Sequence, residues 1–70
     1  MGFRERLQQM RKKKGVSCKV VSELCGLHSD AIRRYENGED EPTLHSIVAI
    51  AEYFDVSVDY LLGREDVMNR

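Results

Sequence analysis

A chain of 70 residues with 41% hydrophobic content and no tryptophan allows one small domain with a thin core, near the lower limit for unaided folding. No apolar run approaches the ~18 residues of a membrane span or forms a signal-peptide core, which points to a cytoplasmic protein without a membrane partner. The net charge of −1 argues against strong indiscriminate affinity for nucleic acid, yet residues 1–35 carry nine Lys or Arg against three acids while residues 36–70 carry two against nine, so one face suits an anionic partner and another is turned away from it.

The first helix is expected over residues 3–14, where Phe3, Leu7 and Met10 recur at i, i+4 and i+7 and Gly15 supplies a stop. Lys12, Lys13 and Lys14 fill its last turn, where the helix dipole favours cations, so they serve the helix at least as well as they would a phosphate. Ser17 caps the second helix, with Val16 and Val21 spaced for a hydrophobic staple. Cys18 and Cys25 lie seven residues apart on it, so about 10 Å separates their Cα atoms, beyond disulfide reach. Cys25 reads as a small core residue and Cys18 as a silent thiol, despite Lys19 beside it. Ser22 is small enough on the inner face to let the third helix pack closely. Val20 and Leu24 fall opposite Cys18 and Ser22; they either complete a broad core stripe, the preferred reading, or form an exposed patch for another protein.

Gly26 makes a tight turn into a third helix over residues 29–36. At about 100° per residue, Ser29, Arg33, Asp30 and Arg34 fall within about 140° of one another, and Ala31, Tyr35 and Ile32 fall within about 100° on the other side. Two short amphipathic helices around a glycine turn, the second with a free polar and basic face, are the outline of a helix-turn-helix, whose second helix enters the DNA major groove. The alternative for one isolated helix is a solvated charged face; the neighbouring helix, the turn and the charge layout weigh against it. A loop over residues 37–42 follows. Thr43 caps a fourth helix with Leu44, Ile47, Ile50, Ala51 and Phe54 as its inward stripe, and Ser57 caps a short fifth helix through Leu62 that Gly63 ends. The domain is therefore all-α over residues 1–63, with a patternless tail over 64–70.

The chain resembles the phage-repressor-like (XRE-type) helix-turn-helix family from about Arg6 to Gly63. The matching elements are Leu7, Met10-Arg11, Gly15-Val16-Ser17, Val21-Ser22, Gly26-Leu27, Ile32, Tyr35-Glu36-Asn37-Gly38, Pro42-Thr43, Ile50-Ala51 and Val56-Ser57-Val58-Asp59-Tyr60-Leu61-Leu62-Gly63, in order and at the family's spacing. The resemblance implies a compact five-helix bundle that regulates transcription by binding operator DNA as a dimer, with Arg11 and Glu36 paired between the first and third helices. It places His28, Ser29, Asp30 and Arg34, with Arg33 at the edge, against the bases. Ser17, Cys18 and Lys19, with Asn37 and Gly38, would then hold phosphates. Arginine binds guanine in a bidentate fork; Asp30 either accepts from cytosine or, preferred, holds Arg34 at the favourable i, i+4 spacing. Three departures stand out: Cys18 where the family commonly has glutamine, His28 where Ser or Thr is usual, which implies either a cap of the third helix at Ser29 or a pH-sensitive contact, and Glu39-Asp40-Glu41 in a loop that is often basic. The acidic loop implies weakened affinity for DNA.

Cys18, Cys25, His28 and His45 form no closed zinc set, and no nucleophile–base pair or phosphate loop is present, so neither catalysis, a metal nor a cofactor is expected. The leading function is a sequence-specific repressor that binds a palindromic operator in double-stranded DNA. Few base contacts per reading helix imply a homodimer, with Val48, Tyr53, Val58 and Leu62 as the candidate interface and half-sites about 34 Å apart. The alternative is a protein-interaction module or antitoxin-like regulator with weak DNA binding, in which Val20, Leu24 and the acidic loop meet a protein partner.

Overall fold

The computed structural model describes residues 2–64 and contains five helices in this range: α1 (Phe3–Lys14), α2 (Cys18–Leu24), α3 (Ala31–Asn37), α4 (Leu44–Phe54) and α5 (Val58–Leu61). Apart from Arg64, the expected tail lies outside the described residues. Three caps follow the expectation: Ser17, Thr43 and Ser57 each accept a backbone N–H, from Val20, Ser46 and Tyr60. At the start of α1, Glu5 accepts the Gly2 N–H at 3.2 Å, half of a capping box, since glycine has no side chain to return the bond.

The core is Leu7 of α1, Val21 of α2, Ala31, Ile32 and Tyr35 of α3, Ile47, Ile50 and Ala51 of α4, and Leu61 of α5. Each helix thus contributes its inward stripe to one cluster, which is how short helices that would be marginal alone hold together. Two buried hydroxyl links order the packing. Ser22 Oγ donates to the Cys18 carbonyl at 2.8 Å and accepts the Ile32 N–H at 3.0 Å, joining α2 to α3. Tyr35 OH donates to Ser46 Oγ at 3.0 Å, and Thr43 Oγ1 lies 3.1 Å from the same oxygen, joining α3 to α4.

Four expectations are corrected. The third helix begins at Ala31 rather than 29, because Gly26 and the next four residues are all used in the turn; neither His28 nor Ser29 caps it. Leu44 is 79% exposed rather than inward: it is the first residue of α4, and its side chain extends past the edge of the core although its angle matches that of Ala51. Val20 and Leu24 are 41% and 65% exposed, so the patch reading replaces the core-stripe reading; α2 is buried only through Val21 and Ser22. The fifth helix stops at Leu61, with Leu62 as its C-terminal cap residue.

Candidate nucleic-acid interface

The turn between α2 and α3 is closed by Gly26 at φ +75°, after which the Leu27 N–H returns to the Ser22 carbonyl at 2.9 Å. That reversal sets α3 across the end of α2 with Ala31, Ile32 and Tyr35 buried. His28 and Ser29 are then exposed before the helix, Arg33 is exposed on it, and Asp30 and Arg34 are half-exposed. The five residues expected against the bases are therefore all accessible to solvent. The Asp30 N–H donates to His28 Nδ1 at 3.3 Å, which orients the imidazole along the turn.

Asp30 pairs with Arg33, not with Arg34 as expected. Arg33 Nε and Nη2 donate to the two Asp30 carboxylate oxygens at 2.8 and 2.6 Å, and Nη1 donates to Glu39 Oε2 at 3.2 Å. The i, i+3 spacing wins because Asp30 precedes the first helical residue, so its side chain meets the guanidinium one turn on. Arg33 holds the Asp30 carboxyl below the usual carboxylate range, and Asp30 raises Arg33 in turn. Arg34 lies 3.7 Å from Glu39 Oε1 and 3.8 Å from Asp40 Oδ2, attracted by charge but outside hydrogen-bond distance.

The expected phosphate-holding residues form two groups. Ser17 Oγ is taken by the Val20 N–H, which leaves the amides of Cys18 and Lys19 as the first turn's unladdered donors, with the Lys19 side chain exposed beside them. Burial and the Glu36 carboxylate push the Cys18 thiol up, so it is not an activated nucleophile. Gly38 ends α3 at φ +76°, a conformation that favours glycine; a Cβ there would lie 2.6 Å from Arg4 Nη1, the far end of an exposed side chain that can move aside. Asn37 Nδ2 donates to Glu39 Oε2 at 3.2 Å.

Behind this surface, Arg11 Nε and Nη2 donate to the two Glu36 oxygens at 2.6 and 3.0 Å, and Nη1 donates to the Val16 carbonyl at 3.1 Å. The pair expected from the resemblance is present, and its hydrogen bonds to Glu36 raise Arg11 above its ordinary pKa. Of the candidate dimer residues, Val48 is 39% exposed, while Val58 and Leu62 are half-buried. Tyr53 is less free than its angle suggests: its ring stands edge-on to Phe54 at 4.8 Å, with Lys14 Nζ 5.3 Å from its centroid. The contribution of Glu39 was not read from the sequence. Its signal was Gly38, because a left-handed glycine at a helix end returns the second residue beyond the helix to the last turn.

This fold and exposed edge define a helix-turn-helix domain of the phage-repressor type. The helix-turn-helix family model matches residues 7–61, and the chain belongs to that family. It is similar to the HTH-type transcriptional regulator AnsR of Bacillus subtilis, 38% identical over 61 residues, which cover 87% of this chain and 53% of AnsR. The HTH-type transcriptional activator BcrR of Enterococcus faecalis is 32% identical over 97% of this chain and 33% of its own. The chain thus spans about half the length of the first relative and a third of the second. Among solved structures, the P22 c2 repressor in complex with a synthetic operator superposes with a TM-score of 0.83 at 28% identity, covering 91% of this chain and 97% of that one.

Proposed function

We propose that this domain binds double-stranded DNA sequence-specifically in the cytoplasm as part of a transcriptional regulator, and that it acts as a repressor by occupying its operator. The observation that carries the reading is the division of α3 and the turn before it: Ile32 and Tyr35 are buried while His28, Ser29, Asp30, Arg33 and Arg34 are exposed or half-exposed. That arrangement lets base-edge contacts come from α3 while Ser17, Cys18, Lys19, Asn37 and Gly38 hold the flanking phosphates. The operator-bound P22 c2 repressor shares the fold, which supports the same mode of docking. The domain works as a homodimer on a palindromic site, joined through Val48, Tyr53, Val58 and Leu62. No catalytic role is assigned.

Selection of bound duplexes from a random pool tests this directly. The expected product is an inverted repeat with half-sites about one helical turn apart. A pool that shows no enrichment, with no duplex retained at low salt, overturns the reading. The exposed pair Val20 and Leu24 favours a second reading, a protein partner seated on α2 in an antitoxin-like regulator with weak DNA binding. Capture of such a partner that is lost on Leu24→Lys, without duplex enrichment, would select it.

A further inference from the structure

The exposed edge of α3 carries two adjacent arginines whose surroundings differ. Arg33 is engaged along both edges of its guanidinium: Asp30 takes Nε and Nη2 as a bidentate pair, and Glu39 takes Nη1. Arg34 donates no hydrogen bond among the described residues, although Glu39 and Asp40 attract it from 3.7 and 3.8 Å. The difference follows from the backbone. Gly38 turns the chain so that the Glu39 N–H meets the Arg34 carbonyl at 2.9 Å, and the Glu39 side chain, steadied by Asn37, then lies over the last turn of α3. Asp30 stands at the other end of the same helix. Arg33 therefore bridges the residue before α3 to the loop after it.

We propose that Asp30 and Glu39 withdraw Arg33 from base reading and make it a strut along α3, leaving Arg34 as the single reading guanidinium of each domain. This rests on the DNA-binding reading above and assigns roles within its edge. A bidentate contact to guanine needs two parallel N–H groups on one guanidinium edge. Arg33 has to release at least one carboxylate to offer such an edge and leaves that carboxylate facing DNA, whereas Arg34 releases no hydrogen bond. The ion pairs are exposed, so each holds Arg33 by a factor of only about two to five. Their combination on one side chain, reinforced by the repulsion between any released carboxylate and the phosphates, decides between the two adjacent arginines.

The test measures binding of the chain to its selected duplex and to every single-base variant of that duplex, across a salt series. Arg34→Ala is expected to flatten the preference at one base pair by roughly 5- to 150-fold. Arg33→Ala is expected to shift all duplexes in parallel, leaving the preference at every base pair in place. Glu39→Gln frees one edge of Arg33 for a phosphate, so affinity for every duplex rises about two- to fivefold and the salt slope steepens by about 0.9. Glu41→Gln removes the same charge from the same loop without touching either arginine and is expected to give less than half of that gain. Adding Arg33→Ala to Glu39→Gln is expected to abolish the excess. A flattened base preference in Arg33→Ala, or equal gains from Glu39→Gln and Glu41→Gln, overturns the strut while leaving the DNA-binding reading intact. No change in base preference from either arginine overturns the reading itself.

Discussion

Ser22 Oγ accepts the Ile32 N–H at 3.0 Å, so α2 supplies the cap that α3 does not supply for itself. Asp30, the residue in the capping position of α3, makes no side-chain cap bond because its carboxylate is committed to Arg33. Ser22 is fully buried, and its hydroxyl proton goes to the Cys18 carbonyl one turn back, leaving a lone pair for the amide. One hydroxyl thus sets the distance between the two helices and satisfies a donor that would otherwise be orphaned. Ser22→Ala leaves the Ile32 amide buried without a partner, and urea unfolding is expected to show a loss of about 1–3 kcal/mol. A loss within about 0.3 kcal/mol, ordinary for an exposed serine, would refute the role.

Arg11 and Glu36 tie α1 to α3 with side chains only 15% and 5% exposed. Arg11→Ala strands a carboxylate that is nearly out of solvent, with an expected cost of about 2–4 kcal/mol, somewhat under the range for fully buried pairs because Arg11 keeps some solvent. Glu36→Gln keeps the shape and one acceptor, and in a double-mutant cycle the pair should show coupling of at least about 1 kcal/mol. The pH dependence is defined as well. Arg11 is raised in the folded state, so its contribution is complete below the ordinary arginine pKa and is lost only as pH climbs through the folded value. The stability difference between wild type and Arg11→Ala should therefore be the same at pH 7 and pH 9. A difference that shrinks by more than half over that interval contradicts the assignment.

Both ends of α1, the starts of α2 and α4, the three serine and threonine caps and the buried face of α3 were legible in the sequence, because each depends on spacing within a few residues, whereas Cys25, expected on the second helix, lies just past its end at Leu24. Ile32 and Tyr35 are buried as their angles require, and the Arg11–Glu36 pair stands where the family resemblance places it. The rest depends on where the bundle ends. Leu44 and Ala51 share an angle on α4, yet Ala51 is 4% exposed and Leu44 79%. Val20 and Leu24 were misread for the same reason, since angles rank the faces of a helix without saying how many of them are covered. The ion network on α3 required knowing that residue 39 returns to the helix after Gly38, and that Asp30 lies one residue before the helix rather than inside it.

Asp55 ends α4 at φ +57° and ψ +47°, and among the described residues it is the one non-glycine with positive φ. Its amide still closes the helix on Glu52, and the Val56 N–H returns to Ala51 at 3.0 Å, so the turn is formed despite the side chain. A residue with a Cβ is strained in this region by about 1–2 kcal/mol, and aspartate is among those that tolerate it best. Asp55→Gly removes that strain and adds backbone freedom to the unfolded chain, for an expected net gain of roughly 0.5 kcal/mol, or about 2–4 °C in Tm for a domain of this size. Thermal melting that shows a loss would mean that the Asp55 side chain contributes a contact beyond its backbone role.

The Asp30–Arg33 pair has a titration signature. Arg33 keeps the Asp30 carboxyl ionised to lower pH than an isolated aspartate, chiefly through their hydrogen bonds. A lowered folded-state pKa contributes stability above the unfolded value and loses it as pH falls through the folded one, so the pair persists at neutral pH and dissolves only in acid. Carboxyl NMR titration should place the Asp30 midpoint below the ordinary aspartate value, and Arg33→Gln should move it back toward that value. An unshifted midpoint in the wild type would show that the pair does not persist in solution.

Lys19 occupies the second position of α2, next to the Cys18 amide and away from any carboxylate among the described ion pairs. A cation there sits at the positive end of the helix dipole, which disfavours it by about 0.3–1 kcal/mol against about 0.2–0.5 kcal/mol of attraction from Glu23 at i+4, so the fold gains little electrostatically from this residue. A phosphate at the same helix end reverses the sign, because lysine and the free amides of the first turn then act on one anion. Lys19→Ala is accordingly expected to leave stability unchanged or slightly raised in thermal melts. The same variant should bind every duplex more weakly by a similar factor, with the salt slope reduced by about 0.9. Parallel weakening across sequences distinguishes a phosphate contact from base reading. Loss of both stability and binding would make Lys19 a structural residue, and loss of neither would remove the start of α2 from the interface.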